Sequence, residues 1–213
     1  MAGAARALRQ LEQRLETLRP AEQGGRVRNL LRSSCGAVVF GAPGSDVRLN
    51  RSSRACVGGR RKRGQQGQAL GRSRGGFSTK IHLKTDFDGH PIAFDLTGGE
   101  KGDAPHFKVL LGLGPDTDPR AGVGDKGYAS KANRAAARKR GIIPVIPAKA
   151  NEKAQPAFFP KLLYKGRARI EQTVGKLKRF KRVALRCEKT KRNFFSIVAL
   201  TAAFILVKSV HTA

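Results

Sequence analysis

Hydrophobic and polar positions divide the chain into a weakly patterned first third and a strongly patterned remainder. Leu8, Leu11, Leu15 and Leu18 recur at alternating three- and four-residue steps, which predicts a short amphipathic helix over residues 1–19 that Pro20 ends. From Ala21 to Gly71 the chain is dominated by Arg, Gly, Ser and Gln, and only Ala37–Phe40 reads as a strand. The pattern sharpens after GRSRGG (71–76). Ser78–Thr85 alternates as a strand does, Asp88-Gly89 signals a turn, and Pro91–Leu96 reads as a second strand, so the three predict a hairpin. Asp103–Leu113 reads as a helix with Phe107, Leu110 and Leu111 on one face. AGVGDKGY (121–128) predicts a short strand ending near Asp125, and Tyr128–Arg140 an Ala-rich basic helix ended by Gly141. Ile142–Ile146 reads as a buried strand, residues 151–160 as a loop, and 162–182 and 191–209 as two helices. Strands alternating with helices predict a mixed α/β domain.

Charge adds a partner to this outline. Among 213 residues, 43 Lys and Arg stand against 15 Asp and Glu, a net charge of +28. Such an excess points to a polyanion, nucleic acid first. With 39% hydrophobic residues the chain has more than a bare basic tail needs, while two Tyr and no Trp offer little for stacking single strands. Cys35, Cys56 and Cys187 are odd in number, far apart and without a CxxC, as in a reduced intracellular protein. The N-terminus lacks the basic-then-apolar layout of a signal peptide. Phe194–Val207 is apolar over about 14 residues, against roughly 20 for a membrane span, and reads as a buried core helix. A cytoplasmic protein is expected.

Acids are scarce enough to weigh singly. Asp86, Asp88, Asp116 and Asp118 fall in turns; Glu12, Glu16 and Glu22 belong to the N-terminal segment; Glu188 sits in a basic surface run. All of these read as structural. Asp125 closes a small-residue strand where a helix begins, which suits either a helix cap or a ligand site at a strand's carboxyl end. On a helix, Tyr164, Arg167, Glu171 and Lys178 fall within about 60° of one another, beside an apolar stripe of Ile170, Val174 and Leu177. Glu171 is therefore either an acid paired with its own Arg or a ligand at the edge of a core-facing surface. Two carboxylates brought together in a cationic domain would suit Mg²⁺ or Mn²⁺ acting on a phosphodiester. The four His (82, 90, 106, 211) form no HExxH, Cys187 has no His partner, and neither GxSxG nor a P-loop occurs. The basic cluster at 60–64 reads as solvated or as a phosphate contact.

These residues carry a resemblance. The spacing Tyr164, Arg167, Glu171, Lys178 matches the Y-(2)-R-(3)-E-(6)-K signature of DDE-type insertion-sequence transposases. GRSRGGFSTKIH (71–82), GDKGYAS (124–130) and RNFFSIVALTAAFIL (192–206) resemble further blocks of that family in the same order, covering about residues 60–210. The resemblance implies an α/β, RNase H-like fold, a mixed sheet flanked by helices; the divergent stretch upstream of GRSRGG leaves open whether its first strand or strands are present. It implies two Asp and a Glu that bind divalent Mg²⁺ or Mn²⁺ and catalyse strand cleavage and joining at transposon ends. Asp125 matches the second acid and Glu171 the third. Arg167 and Lys178 match the basic positions facing DNA phosphate, Tyr164 the aromatic one, with Lys176 and Lys126 as further cationic supports.

The family's first Asp stands in an Asp-Ser-Thr context before the GRSRGG block, where this chain reads SDVRLNRSSRACVGG (45–59). Asp46 falls at about the right distance, without the Ser-Thr, the His residues or the preceding apolar strand. Residues 1–59 are therefore expected to be a separate segment, from a shifted reading frame or a decayed element, fused to a catalytic domain at 60–210. The expected partner is double-stranded DNA in a bacterial nucleoid, with a homodimer acting on paired ends. The rival expectations are a DNA-binding remnant that does not cut, and a ribosomal-type RNA-binding protein.

Overall fold

Among the described residues, seven strands assemble into one mixed sheet. The computed structural model describes residues 38–41, 46–48, 67–73, 76–114, 118–150, 152 and 158–211. The leucine stripe of residues 1–19, Cys35, Cys56, the cluster at 60–64 and Asp116 lie outside the described residues. The strands are β1 (Val38–Gly41), β2 (Asp46–Arg48), β3 (Gly71–Ser73), β4 (Gly76–Asp86), β5 (Pro91–Gly98), β6 (Ala121–Gly124) and β7 (Ile143–Val145). The α-helices are α1 (Phe107–Gly112), α2 (Lys131–Lys139), α3 (Lys161–Lys165), α4 (Ala168–Lys178), α5 (Lys181–Ala184) and α6 (Lys191–His211).

β4 and β5 form the hairpin the alternation predicts, closed by the Asp86 N–H donating to the His90 carbonyl at 3.0 Å. The other edge of β4 is shared. β1 runs antiparallel to it from Val38 opposite Asp86 to Gly41 opposite Leu83, and β2 resumes with Asp46 opposite Lys80. β1 pairs in parallel with β6, and β6 in parallel with β7. The order β5-β4-β1-β6-β7 is the mixed sheet the resemblance implies, and it includes a strand upstream of β4.

Alternation along the strands sends successive side chains to opposite faces. Val39, Ile81, Leu83, Leu96 and Val123 meet Ile170, Val174 and Leu177 of α4 and Phe194 and Val198 of α6. On the other face Val38 and Phe40 meet Phe107, Leu110 and Leu111 of α1, with Tyr128, Ala137 and Ile146.

Four expectations are corrected. The single helix over 162–182 is divided into α3, α4 and α5. Its first break is at Gly166, where a β-carbon would lie 2.3 Å from the Phe87 ring and 3.0 Å from the Leu163 carbonyl. The helix expected from Tyr128 starts only at Lys131, capped by the Ser130 hydroxyl accepting the Asn133 N–H at 3.2 Å. α6 is not a buried core helix throughout. Phe194, Val198, Thr201 and Ile205 are buried, whereas Leu200, Phe204 and Val207 face outward. By length and composition Lys191–Ser209 could cross a bilayer, yet its inward face seals the sheet. Glu188 is buried as well, holding Arg182 at 2.7 Å, rather than lying on the surface.

Candidate active site at the end of β6

β6 consists of Ala, Gly, Val and Gly, all buried, and Asp125 follows where the chain leaves the sheet. Asp125 Oδ1 accepts the Lys126 N–H at 2.7 Å and so caps a single 3₁₀ turn, Lys126–Tyr128. α2 has its own cap in Ser130, so the capping role foreseen for Asp125 is confined to that short turn. The turn is held from beneath. Gly127 lies so close to Asp103 that a β-carbon there would stand 2.7 Å from Oδ2, and Asp103 in turn binds Lys80 at 3.0 Å. Lys80 also donates to the Lys101 carbonyl at 2.9 Å. Tyr128 is fully buried, which pushes its hydroxyl pKa far above the usual value, and its oxygen lies 3.4 Å from His82 Nδ1.

The second half of the site comes from α3 and α4. Ile170, Val174 and Leu177 seat α4 on the sheet, and Glu171 remains half exposed. Arg167, at the turn that Gly166 makes, spans the gap. Its Nη2 binds Glu171 Oε1 at 2.7 Å while Nη1 lies 4.0 Å from Asp125 Oδ2. Tyr164 packs its ring 6.0 Å from the same guanidinium, and partial burial raises its hydroxyl pKa. With 35% of the Asp125 side chain and 48% of that of Glu171 exposed, both carboxylates are open to a ligand from solvent.

The structure thus brings Asp125, Arg167, Glu171 and Tyr164 into one cluster, with exposed Lys126 beside Asp125 in the chain. Lys176 and Lys178 lie further along α4, about 8 and 10 Å of helix rise beyond Glu171. The backbone of Asp46 pairs with Lys80, three positions along β4 from Leu83, or about 10 Å. Asp103 and Lys80, which support the Asp125 turn, were not anticipated. The one sequence signal for Lys80 is a cation inside an alternating strand, and Asp103 had none.

Asp86 and Asp88, expected in a turn, lie at the β4–β5 connection. Asp86, Asp88 and His90 place ligand atoms within 4.8 Å of one another. Both Asp86 oxygens, however, accept from His90, from its N–H at 2.7 Å and at its ring Nδ1 at 2.8 Å, which explains the group as a turn closure. His82 is buried on β4 against the Thr97 hydroxyl at 2.9 Å.

Comparison with known proteins places the chain among relatives. The family model described as "Transposase DDE domain" matches residues 44–206. A Brucella ovis protein named as a transposase for insertion sequence element IS6501 is 36% identical over 137 residues, 62% of this chain and 99% of that protein. A Burkholderia cepacia protein named as a transposase for insertion sequence element IS402 is 33% identical over 120 residues, 52% of this chain. The match covers 54% of that second relative, so the chain spans about half its length. No solved structure matches.

Proposed function

This chain belongs to the transposase DDE-domain family, and we propose that it is an insertion-sequence transposase domain that binds double-stranded DNA at its element's ends. The observation that carries the reading is the convergence of Asp125 and Glu171, from separate elements, on one guanidinium. The net charge of +28 supports a DNA partner, and two bacterial relatives named as transposases support the element and the cytoplasm as the setting. Arg167, Lys126, Lys176 and Lys178 supply cations for backbone phosphates on either side of the acids. Tyr164 props Arg167 in place. A homodimer would serve two paired ends.

The family's chemistry, strand cleavage and transfer, implies a divalent cation such as Mg²⁺ or Mn²⁺. The carboxylates present fit such an ion in kind, since hard oxygens suit it, but not in number. Asp125 already accepts from the Lys126 N–H, and both acids face the Arg167 charge. A non-cleaving, DNA-binding form of the transposase is therefore the second reading.

The test is binding and cleavage of a labelled duplex carrying the element's own ends, with Mn²⁺, over a range of salt. Affinity is expected to fall steeply with salt and to weaken in Lys176→Ala. Binding that ignores salt, or no binding to duplex DNA at all, would sink the proposal.

A further inference from the structure

The sheet register shows where the acidic site is incomplete. β1 and β6 pair in parallel through Val38–Gly122, Val39–Val123 and Phe40–Gly124. The pairing ends there with β6; Gly41 follows Phe40, and Asp125 follows Gly124 in extended backbone, so the register continued by one residue would set Gly41 beside Asp125. Gly41 is paired on its other side with Leu83, and Leu83 belongs to the cluster packed against Ile170 and Val174 of α4. Residues opposite each other in an antiparallel pair share a face. Val39, two positions before Gly41, lies in that cluster too. A β-carbon at position 41 would therefore stand on the face that α4 covers, next to Asp125.

We propose that Gly41 occupies the position of a missing third carboxylate, so that this chain holds no catalytic divalent cation, and that an acid placed at 41 creates the cation site. The electrostatics agree. One Mg²⁺ or Mn²⁺ carries two positive charges and takes about six oxygens. Two carboxylates that share the Arg167 charge present a net charge of only minus one. The backbone of Asp46 pairs with Lys80, three positions along β4 from the Leu83 that pairs with Gly41. The inference rests on Asp125 and Glu171 being the acids of the proposed DNA-cutting site.

Mn²⁺ titration of the full chain, read by the electron paramagnetic resonance signal of free Mn²⁺, tests it. The unmodified chain, Asp46→Asn, Asp125→Asn and Gly41→Asn are expected to bind equally weakly. Gly41→Asp is expected to bind at least about tenfold tighter, and to lose that gain when Asp125→Asn is added. A Gly41→Asp variant with an unchanged circular dichroism spectrum and no gain would overturn the proposal. So would tight Mn²⁺ binding by the unmodified chain that either Asp46→Asn or Asp125→Asn abolishes, a comparison that needs no variant at position 41. Loss of salt-sensitive duplex binding would count against the DNA-binding function instead, so the two failures separate.

Discussion

At Arg167 one guanidinium satisfies two carboxylates of unequal reach, Glu171 at 2.7 Å and Asp125 at 4.0 Å. All three groups are partly exposed, so the ion pairs contribute less than about 1 kcal/mol to stability. Arg167→Ala should leave the urea midpoint nearly unchanged and weaken duplex binding. Arg167→Lys should not restore it, because an ammonium lacks the fork that reaches two acids at once. His82 carries the opposite kind of effect. Burial, with His106 beside it, holds its pKa at about 4 rather than 6.5, against the weaker opposing pull of Asp103 and Asp95. The folded chain keeps the imidazole neutral in that window while the unfolded chain protonates it. Stability should therefore be full above pH 6.5 and fall as pH drops toward 4, by up to about 3 kcal/mol. Urea midpoints at pH 7.5 and 4.5 check this, and the slope should flatten in His82→Gln. An unchanged slope in that variant would assign it to another group.

Elements differ in what they tolerate. α6 is amphipathic in its packing although nearly uniform in composition. Phe194 is fully buried beneath the Arg186 guanidinium, 5.1 Å from its ring centroid, whereas Leu200 is 69% exposed. Phe194→Ala should cost about 3–5 kcal/mol and Leu200→Ala within about 0.5 kcal/mol, measured by chemical denaturation. The α3–α4 turn depends on Gly166 lying against Phe87. Gly166→Ala should cost about 1–3 kcal/mol, because the aromatic ring and a carbonyl must both move. It should also reduce DNA binding, since Arg167 sits on that turn. The paired variant Phe87→Leu should recover part of the loss. Equal stability of Gly166→Ala and the unmodified chain would show that the turn does not need glycine.

For the whole molecule the dominant quantity is charge. With +28 spread over 213 residues, duplex binding that involves about six to ten phosphates should weaken by about 10³–10⁵ between 50 and 200 mM salt. Fluorescence anisotropy on a labelled duplex would read that slope, and each removed contact, Lys176→Ala for one, should lower it by about one unit. Asp125 follows β6, the strand between β1 and β7, and Glu171 stands on α4. β6 ends with Gly124 level with Phe40 of β1 and Lys84 of β4, and α4 covers the face of Val39, Leu83 and Val123, so the cation-rich helix and the acidic strand end share one side.

The hairpin of β4 and β5, the strand before Asp125 and the terminal helix were legible in the sequence because each rests on local periodicity. Asp125 and Glu171 were legible as candidates because acids are rare in this chain and stand in spaced blocks. What periodicity cannot carry is the approach of residues far apart in the chain. The break at Gly166 depends on Phe87, the support of the Asp125 turn on Asp103 and Lys80, and the buried Arg186 on the carbonyls of Gln68 and Ala69. The same holds for the acid site. Sequence distance pointed to Asp46, whose backbone pairs with Lys80, whereas strand register pairs Phe40 with Gly124, the residue before Asp125; hydrogen-bonded pairing and not spacing along the chain decides which residues of neighbouring strands meet.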